Sequence, residues 1–459
     1  MGEQAQMEWE KLLKLDRLGD PEYIQHKHRP IYLQDIDRIL FSPPFRRLAN
    51  KTQVHPLYDN DHIHHRLIHS LEVATVGRSL GIEVGAWLAD DQQLIASNQV
   101  EIIAGLVQTA CMAHDIGNPP FGHSGEEAIA SWFREKFAHP VGILEDISET
   151  QRHEFEAFEG NAQGFRILTR IEMYKNAGGL RLALASLGAF TKYPVSAAAK
   201  IQVPTNGTPY IGLKKYGFFE NDIPTFQSIA DKLGLPEEEI KSETGDVIGH
   251  WWRRHPLAFL MEAADDICYN IMDLEDAYLA GDVDYDQVIE ALTKLLPKSN
   301  KYYPKQENSE TISRYRALAI RGAISSCVEA FKKNYDAIME GTFHLSLIDA
   351  SEKEKDFSEI KQIAKDRIFK AKRKTELEVY GRNVVYRVLD GLIPLLDEYR
   401  SVGWNSDSLS PYHTQVIRSI NLPIAHVSNS YDALHALTDF VSGMTDRYAV
   451  KVADMLGKR

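Results

Sequence analysis

The stretch Ala113–Glu127, AHDIGNPPFGHSGEE, sets a His-Asp doublet, a Gly-Asn-Pro-Pro break and a second histidine in one short run. Ahead of it, Ile102, Ile103, Leu106, Val107, Ala110, Cys111 and Ala113 recur at helical spacing, which predicts a helix with His114 and Asp115 in its last turn. Pro119 and Pro120 are expected to end that helix, because neither donates a backbone hydrogen bond and the first restricts Asn118. Ser124, with Glu127 three residues on, has the form of a capping box that opens a second helix. His123 and Glu126 then flank a helix N-terminus, where free N–H groups favour an anion such as phosphate. A His-Asp dipeptide taken alone is more often a buried hydrogen-bonded pair, so the decision falls to the rest of the chain.

Working outward, Pro256–Gly281 reads as a long helix with proline at its start and glycine at its end. Asp265, Tyr269 and Asp273 fall on one face of it, while Leu257, Leu260, Ala264, Ile267 and Ile271 supply apolar packing. Carboxylates in such a setting need a partner, and a metal or an arginine on a neighbouring helix would each serve. Upstream, His55–Ala74 holds His55, His62, His64, His65 and His69. His65 and His69 have the i,i+4 spacing of a helical metal pair, but only His69 leads into an amphipathic pattern, Leu71, Val73, Val76 and Leu80. Gln34–Val54 carries Arg46, Arg47 and Lys51 after Pro43-Pro44, a cationic helix start or a solvated face. In Gln151–Leu168, Asn161, Gln163 and Arg166 could contact a polyphosphate. Leu184–Pro224, rich in Gly, Pro and Thr, is the expected place for strands. A closing helix is expected near Asp439–Met455.

The chain has 459 residues, 44% hydrophobic and 25% charged, the balance of an ordinary globular protein too long for one small domain. Its net charge of −13, from 52 basic and 65 acidic side chains, argues against a protein that coats nucleic acid electrostatically. Cys111, Cys268 and Cys327 are widely spaced and read as reduced packing residues. No apolar run approaches a membrane span and no signal-peptide pattern opens the chain, so no membrane partner and a cytoplasmic location are expected.

If His69, His114, Asp115 and Asp265 converge, two imidazoles and two carboxylates suit a divalent ion such as Mn²⁺, Mg²⁺, Fe²⁺, Ni²⁺ or Zn²⁺. With His123 and Glu126 beside it, hydrolysis of a phosphoester is the logical reaction. That H…HD…D pattern resembles the HD-domain metal-dependent phosphohydrolases. RRLANKTQV (Arg46–Val54), RLIHSLEV (Arg66–Val73), AHDIGNPPFGHSGE (Ala113–Glu126), FEGNAQGFR (Phe158–Arg166), MEAADDICY with DLEDA (Met261–Ala277) and DFVSGMTDRYA (Asp439–Ala449) resemble, more narrowly, the bacterial deoxyguanosine triphosphate triphosphohydrolases.

The resemblance implies an all-α fold built on an HD-domain helical core; with the polar stretch from Lys294 to Asn308 as boundary, that core and its N-terminal helices are expected over residues 1–300 and a C-terminal helical region completing the core and subunit contacts over 301–459, with a small β-hairpin in Leu184–Pro224. It implies cleavage of dGTP, or of dNTPs more broadly, to deoxynucleoside and intact triphosphate by water attack at the α-phosphorus. It also implies a divalent metal, Mn²⁺ or Mg²⁺ first, and a homo-hexamer, and leaves open whether a dNTP or single-stranded DNA acts as effector. By matching positions, His69, His114, Asp115 and Asp265 would hold the metal, and His123 and Glu126 would form the catalytic pair, with the proton assigned to neither. Gln53 and Asp273 would hold the sugar 3′-hydroxyl, and Tyr269 would exclude a ribose 2′-hydroxyl. Asn161, Lys192, Tyr193 and Lys215 would grip the triphosphate. The competing expectation is a regulatory or single-stranded nucleic-acid-binding HD protein with secondary nucleotidase activity, which the basic run Lys365–Lys374 would have to support.

Overall fold

A computed structural model describes residues 6–52, 65–173, 177–204, 210–297, 309–368 and 372–457. The helices that position the site are, in chain order, α1 (Ile31–Leu40), α2 (Arg66–Ala86), α3 (Val100–Ala113), α4 (His123–Ala138), α5 (Gly160–Arg166), α6 (Pro256–Ala280), α7 (Ser309–Lys333), α8 (Lys372–Ser401), α9 (Ser430–Gly443) and α10 (Asp446–Leu456). Among the described residues the fold is all-α apart from one antiparallel hairpin, β1 (Glu237–Lys241) with β2 (Val247–Trp252).

Among the described residues two apolar cores share the chain. The first takes Val73 and Leu80 of α2, Leu106 of α3, Leu260 and Ala264 of α6, and Phe331 of α7. The second takes Trp132 of α4, Val385 of α8, Leu434 of α9 and Val452 of α10. Both cores draw helices from either side of residue 300. The division into 1–300 and 301–459 is kept as a proposal about folding units, which limited proteolysis would test.

Within the first core, α2 and α3 approach closely because α2 carries glycines where they meet. A Cβ on Gly81 would lie 2.7 Å from the Ala104 Cα, and one on Gly77 would lie 2.3 Å from the Cys111 Sγ. His69, Val73, Gly77 and Gly81 are spaced four apart on one helix row. The same row that lets the helices touch therefore aims His69 at the end of α3, where His114 stands. Helix α6 crosses both and carries Asp265. It runs from Pro256 to Ala280, with Gly281 at φ +80° ending it as expected.

Several local expectations are corrected. Helix α3 ends at Ala113, with His114 as its C-cap and Asp115 in the following turn, so the prolines arrive after the helix has closed. Helix α4 begins at His123 rather than after Ser124, because Gly122 at φ +59° turns the chain two residues earlier and acts as the N-cap; Ser124 caps nothing. The hairpin does not lie in Leu184–Pro224. Ser196 caps the run Ala197-Ala198-Ala199, the best helix-forming residues, and the described part of that segment is short helices and turns. The strands follow it, joined by a turn through Gly245 at φ +89°. His65 is the extended residue before α2, so it shares no helix face with His69, and Leu71 is partly exposed. The closing helix is two, broken at Met444-Thr445, where Thr445 caps α10. The three cysteines are free and buried, as expected. Among the described residues no helix is long and apolar enough to cross a membrane.

Candidate active site

Where the two cores meet, a cavity of about 340 Å³ opens. The run Ala113–Glu127 spans this seam, with Ile116 packed in the first core and Phe121 in the second.

The first-core wall carries the candidate metal ligands His114, Asp115 and Asp265, with the fourth, His69, buried in contact with them. Donor atoms of His69, His114 and Asp115 lie within 4.8 Å of one another. Asp265 Oδ1 is 3.3 Å from His69 Nε2 and 3.5 Å from His114 Nε2, so the structure brings all four expected ligands together. The His114 Nδ1 sits 2.7 Å from the Cys111 carbonyl oxygen, an acceptor only, which places the proton on Nδ1 and leaves the Nε2 lone pair aimed inward. That buried Nε2 has no hydrogen-bond partner among the described residues. An orphaned imidazole lone pair facing two carboxylates fits a divalent cation, which supplies what each group lacks.

Asp115 is held firmly. Arg66 Nη1 donates to its Oδ2 at 2.7 Å, and the Asn118 side-chain amide donates to Oδ1. Burial would raise the Asp115 carboxyl, but Arg66, with His114 and His69, outweighs it and brings the pKa down to about 2. Burial would likewise raise Asp265, yet His114, His69 and Lys192 hold it well below the usual carboxylate range. Both carboxylates are thus kept ionised, the form that binds a cation.

The second-core wall carries His123 and Glu126, the candidate catalytic pair. His123 is the first residue of α4 and its side chain is 79% exposed, whereas the Glu126 side chain is 9% exposed. His123 Nδ1 and Glu126 Oε2 lie 2.7 Å apart, and Gly160 N donates to Glu126 Oε1 at 2.8 Å. The bond to Glu126 raises the His123 pKa; burial would raise that of Glu126, but His123 outweighs it and holds the carboxylate ionised. Just before this pair the backbone is strained, since Phe121 takes φ +65°, a conformation that costs a non-glycine residue about 1–2 kcal/mol.

Lys192, Tyr193, Lys215 and Asn161 all line the cavity, as does Tyr269, one turn beyond Asp265 on α6. Lys215 and Asn161 both donate to Glu159. Lys192 Nζ is 3.5 Å from Glu262 and 3.8 Å from Asp265; burial would lower its pKa, but Tyr193, Glu262 and Asp265 raise it, so the ammonium stays charged. Asp273 is buried a further turn along α6 and is not among the cavity-lining residues. Gln53 lies outside the described residues, as do His55, His62 and His64.

Some of the wall was not anticipated. Arg66 was within reach, since it stands three residues before His69, one helical turn away. Thr52, Glu159 and Glu378 also line the cavity, and Glu378 comes from α8 with no sequence signal of its own. Lys51, expected as a solvated or phosphate-facing cation, is buried and donates to the carbonyls of Asn118 and Ser442, each at 2.7 Å.

Residues 66–181 match the HD domain family. Over 464 residues, 98% of this chain and 99% of the relative, the chain is 37% identical to a deoxyguanosinetriphosphate triphosphohydrolase-like protein of Pseudomonas aeruginosa. The chain belongs to the HD-domain deoxyguanosinetriphosphate triphosphohydrolase family. A relative with the same description from Synechocystis is 37% identical over 453 residues, again 98% and 99% of the two chains. A deoxyguanosinetriphosphate triphosphohydrolase of Salmonella arizonae is 28% identical over 506 residues, 94% of this chain and 95% of that one. The HD match contains His69, His114, Asp115, His123, Glu126 and Asn161, while Asp265 joins them from beyond it through α6.

Proposed function

We infer that the protein hydrolyses deoxynucleoside triphosphates, dGTP before the others, at the α-phosphorus, releasing the deoxynucleoside and intact triphosphate. The observation that carries this is one cavity in which a metal-type cluster, an exposed imidazole and two charged lysines face the same space. His69, His114, Asp115 and Asp265 would hold a divalent ion, Mn²⁺ or Mg²⁺ first and Ni²⁺, Fe²⁺ or Zn²⁺ as alternatives, which would supply an activated water and polarise the phosphoryl group. Lys192, Lys215 and Asn161, with Tyr193 beside them, suit the phosphates that leave together, because they are charged or polar groups already paired with carboxylates that an anion would displace. His123, whose pKa is raised, is the proton donor to the departing 5′-oxygen, and Glu126 orients it.

Tyr269 stands one turn from the metal cluster, where its ring suits exclusion of a ribose hydroxyl. Gln53 and Asp273 remain proposals for the sugar 3′-hydroxyl. Preference for guanine is supported by Glu378, since a carboxylate accepts from the two donors that guanine offers on one edge, its ring N–H and exocyclic amine, which adenine does not. Relatives named for deoxyguanosinetriphosphate support the same substrate. A homo-hexamer in the cytoplasm belongs to this reading by family resemblance, and a dNTP or single-stranded DNA as effector is proposed with it. The nucleic-acid-binding alternative draws no support from the described part of the basic run, where Arg367 lines a groove beside Asp356, Glu359 and Asp366.

Purified protein incubated with Mn²⁺ and each dNTP or GTP, with products separated by anion exchange, tests the proposal. Deoxyguanosine and triphosphate should appear from dGTP while GTP is spared. Release of phosphate or pyrophosphate, or silence with single dNTPs and with their mixtures, would defeat it. Glu378→Gln should lower kcat/KM for dGTP relative to dATP by about 10–100-fold, the loss expected when a group that reads a donor edge is neutralised.

A further inference from the structure

The strained turn that delivers His123 is pinned from far along the chain. Asp446, the first residue of α10, is 2% exposed. Its Oδ1 accepts from Phe121 N at 3.0 Å, and its Oδ2 accepts from Thr52 N at 3.1 Å and from Thr52 Oγ1 at 2.6 Å. Phe121 and Gly122 both have positive φ, and His123 follows at once as the start of α4. The other end of the same turn is tied in parallel, with Lys51 joining the Asn118 carbonyl to that of Ser442 in α9. Phe121 is also pressed by α8, where a Cβ on Gly381 would come within 2.7 Å of its ring.

We propose that Asp446 is a positioning residue for the hydrolysis: it holds Phe121 in its left-handed conformation against Thr52 and thereby fixes the direction in which α4 presents His123 and Glu126 to the cavity. A non-glycine residue keeps such a conformation only where its surroundings over-determine it, and Asp446 supplies the backbone bond that does so. The three hydrogen bonds of Asp446 go to Phe121 and Thr52 and to no candidate metal ligand, so its effect falls on the His123 wall. The kinetic part of the proposal rests on the functional reading above; the structural part does not.

Asp446→Asn replaces one acceptor oxygen by a donor, so at least one of the three bonds is lost. The expected result is a kcat for dGTP lowered by about 100-fold, the scale of a misplacement near 1 Å, with KM and Mn²⁺ affinity by titration calorimetry unchanged. Hydrogen exchange by mass spectrometry should rise in peptides covering 118–126 and stay level in those covering α2 and α6. Thr52→Val keeps the carboxylate and the side-chain shape and removes a single donor, so it should move kcat the same way by about 3-fold or more, and it stands in should the asparagine variant not fold. Unchanged kcat with unchanged exchange in folded protein overturns the proposal, as does a loss of Mn²⁺ binding in step with kcat. Wild-type protein silent to every nucleotide would defeat the functional reading, whereas exchange and Mn²⁺ affinity would still decide whether Asp446 positions the turn.

Discussion

The two walls of the cavity are built on opposite terms. On the first-core side, His69 and Asp265 project from long helices in mutual contact and His114 and Asp115 follow the end of a third, with an arginine and an asparagine each donating to one oxygen of Asp115. On the second-core side, the His123 ring is 79% exposed and depends on a turn with two positive φ values. The first wall is fixed by packing that the core enforces anyway, whereas the second is fixed by a few hydrogen bonds. Binding and proton transfer should therefore be separable by mutation.

The largest effects belong to the first wall. Asp265→Asn should abolish turnover and Mn²⁺ binding together; a variant that binds Mn²⁺ normally would break the assignment of that wall. Asp115→Ala should do the same and also lower stability by about 3–5 kcal/mol in metal-free denaturant unfolding, because Arg66 is left as an unpaired buried charge. On the second wall Glu126→Gln should leave Mn²⁺ affinity intact and cut kcat above neutral pH by about 10-fold or more. The sign follows from the pair: Glu126 raises the His123 pKa, an acid works only while protonated, and losing Glu126 moves the alkaline limb of the pH–rate profile to lower pH. A limb that stays in place would mean that His123 is not the acid. Smallest of all, Lys215→Ala should raise KM by about 2–5-fold, since a partly exposed ion-paired lysine is worth at most about 1 kcal/mol.

The same contrast explains what could be read from the sequence. His69, His114, Asp115 and Asp265 were legible because a doublet at the end of an apolar helix and an acid on an apolar helix leave local, periodic marks. The start of α4 was misread because Ser124 has the right chemistry for a cap, while Gly122 has the right backbone, and only the fold decides between them. The hairpin was misplaced because Glu237, Glu238 and Glu239 open it with three acids in a row, which obscures strand alternation. Lys51, Glu378 and Asp446 were illegible for a different reason. Their roles are made by contacts between distant parts of the chain, as between Thr52 and Asp446, 394 residues apart.

The run from Ala113 to Glu127 begins in one core and finishes in the other, with Ile116 and Phe121 as its two anchors. It is therefore a covalent bridge across the seam as well as the motif: the length and shape of this one run set the separation between the ligand cluster on one side and His123 and Glu126 on the other, so an insertion or deletion between Ile116 and Phe121 would change that separation while leaving both cores whole.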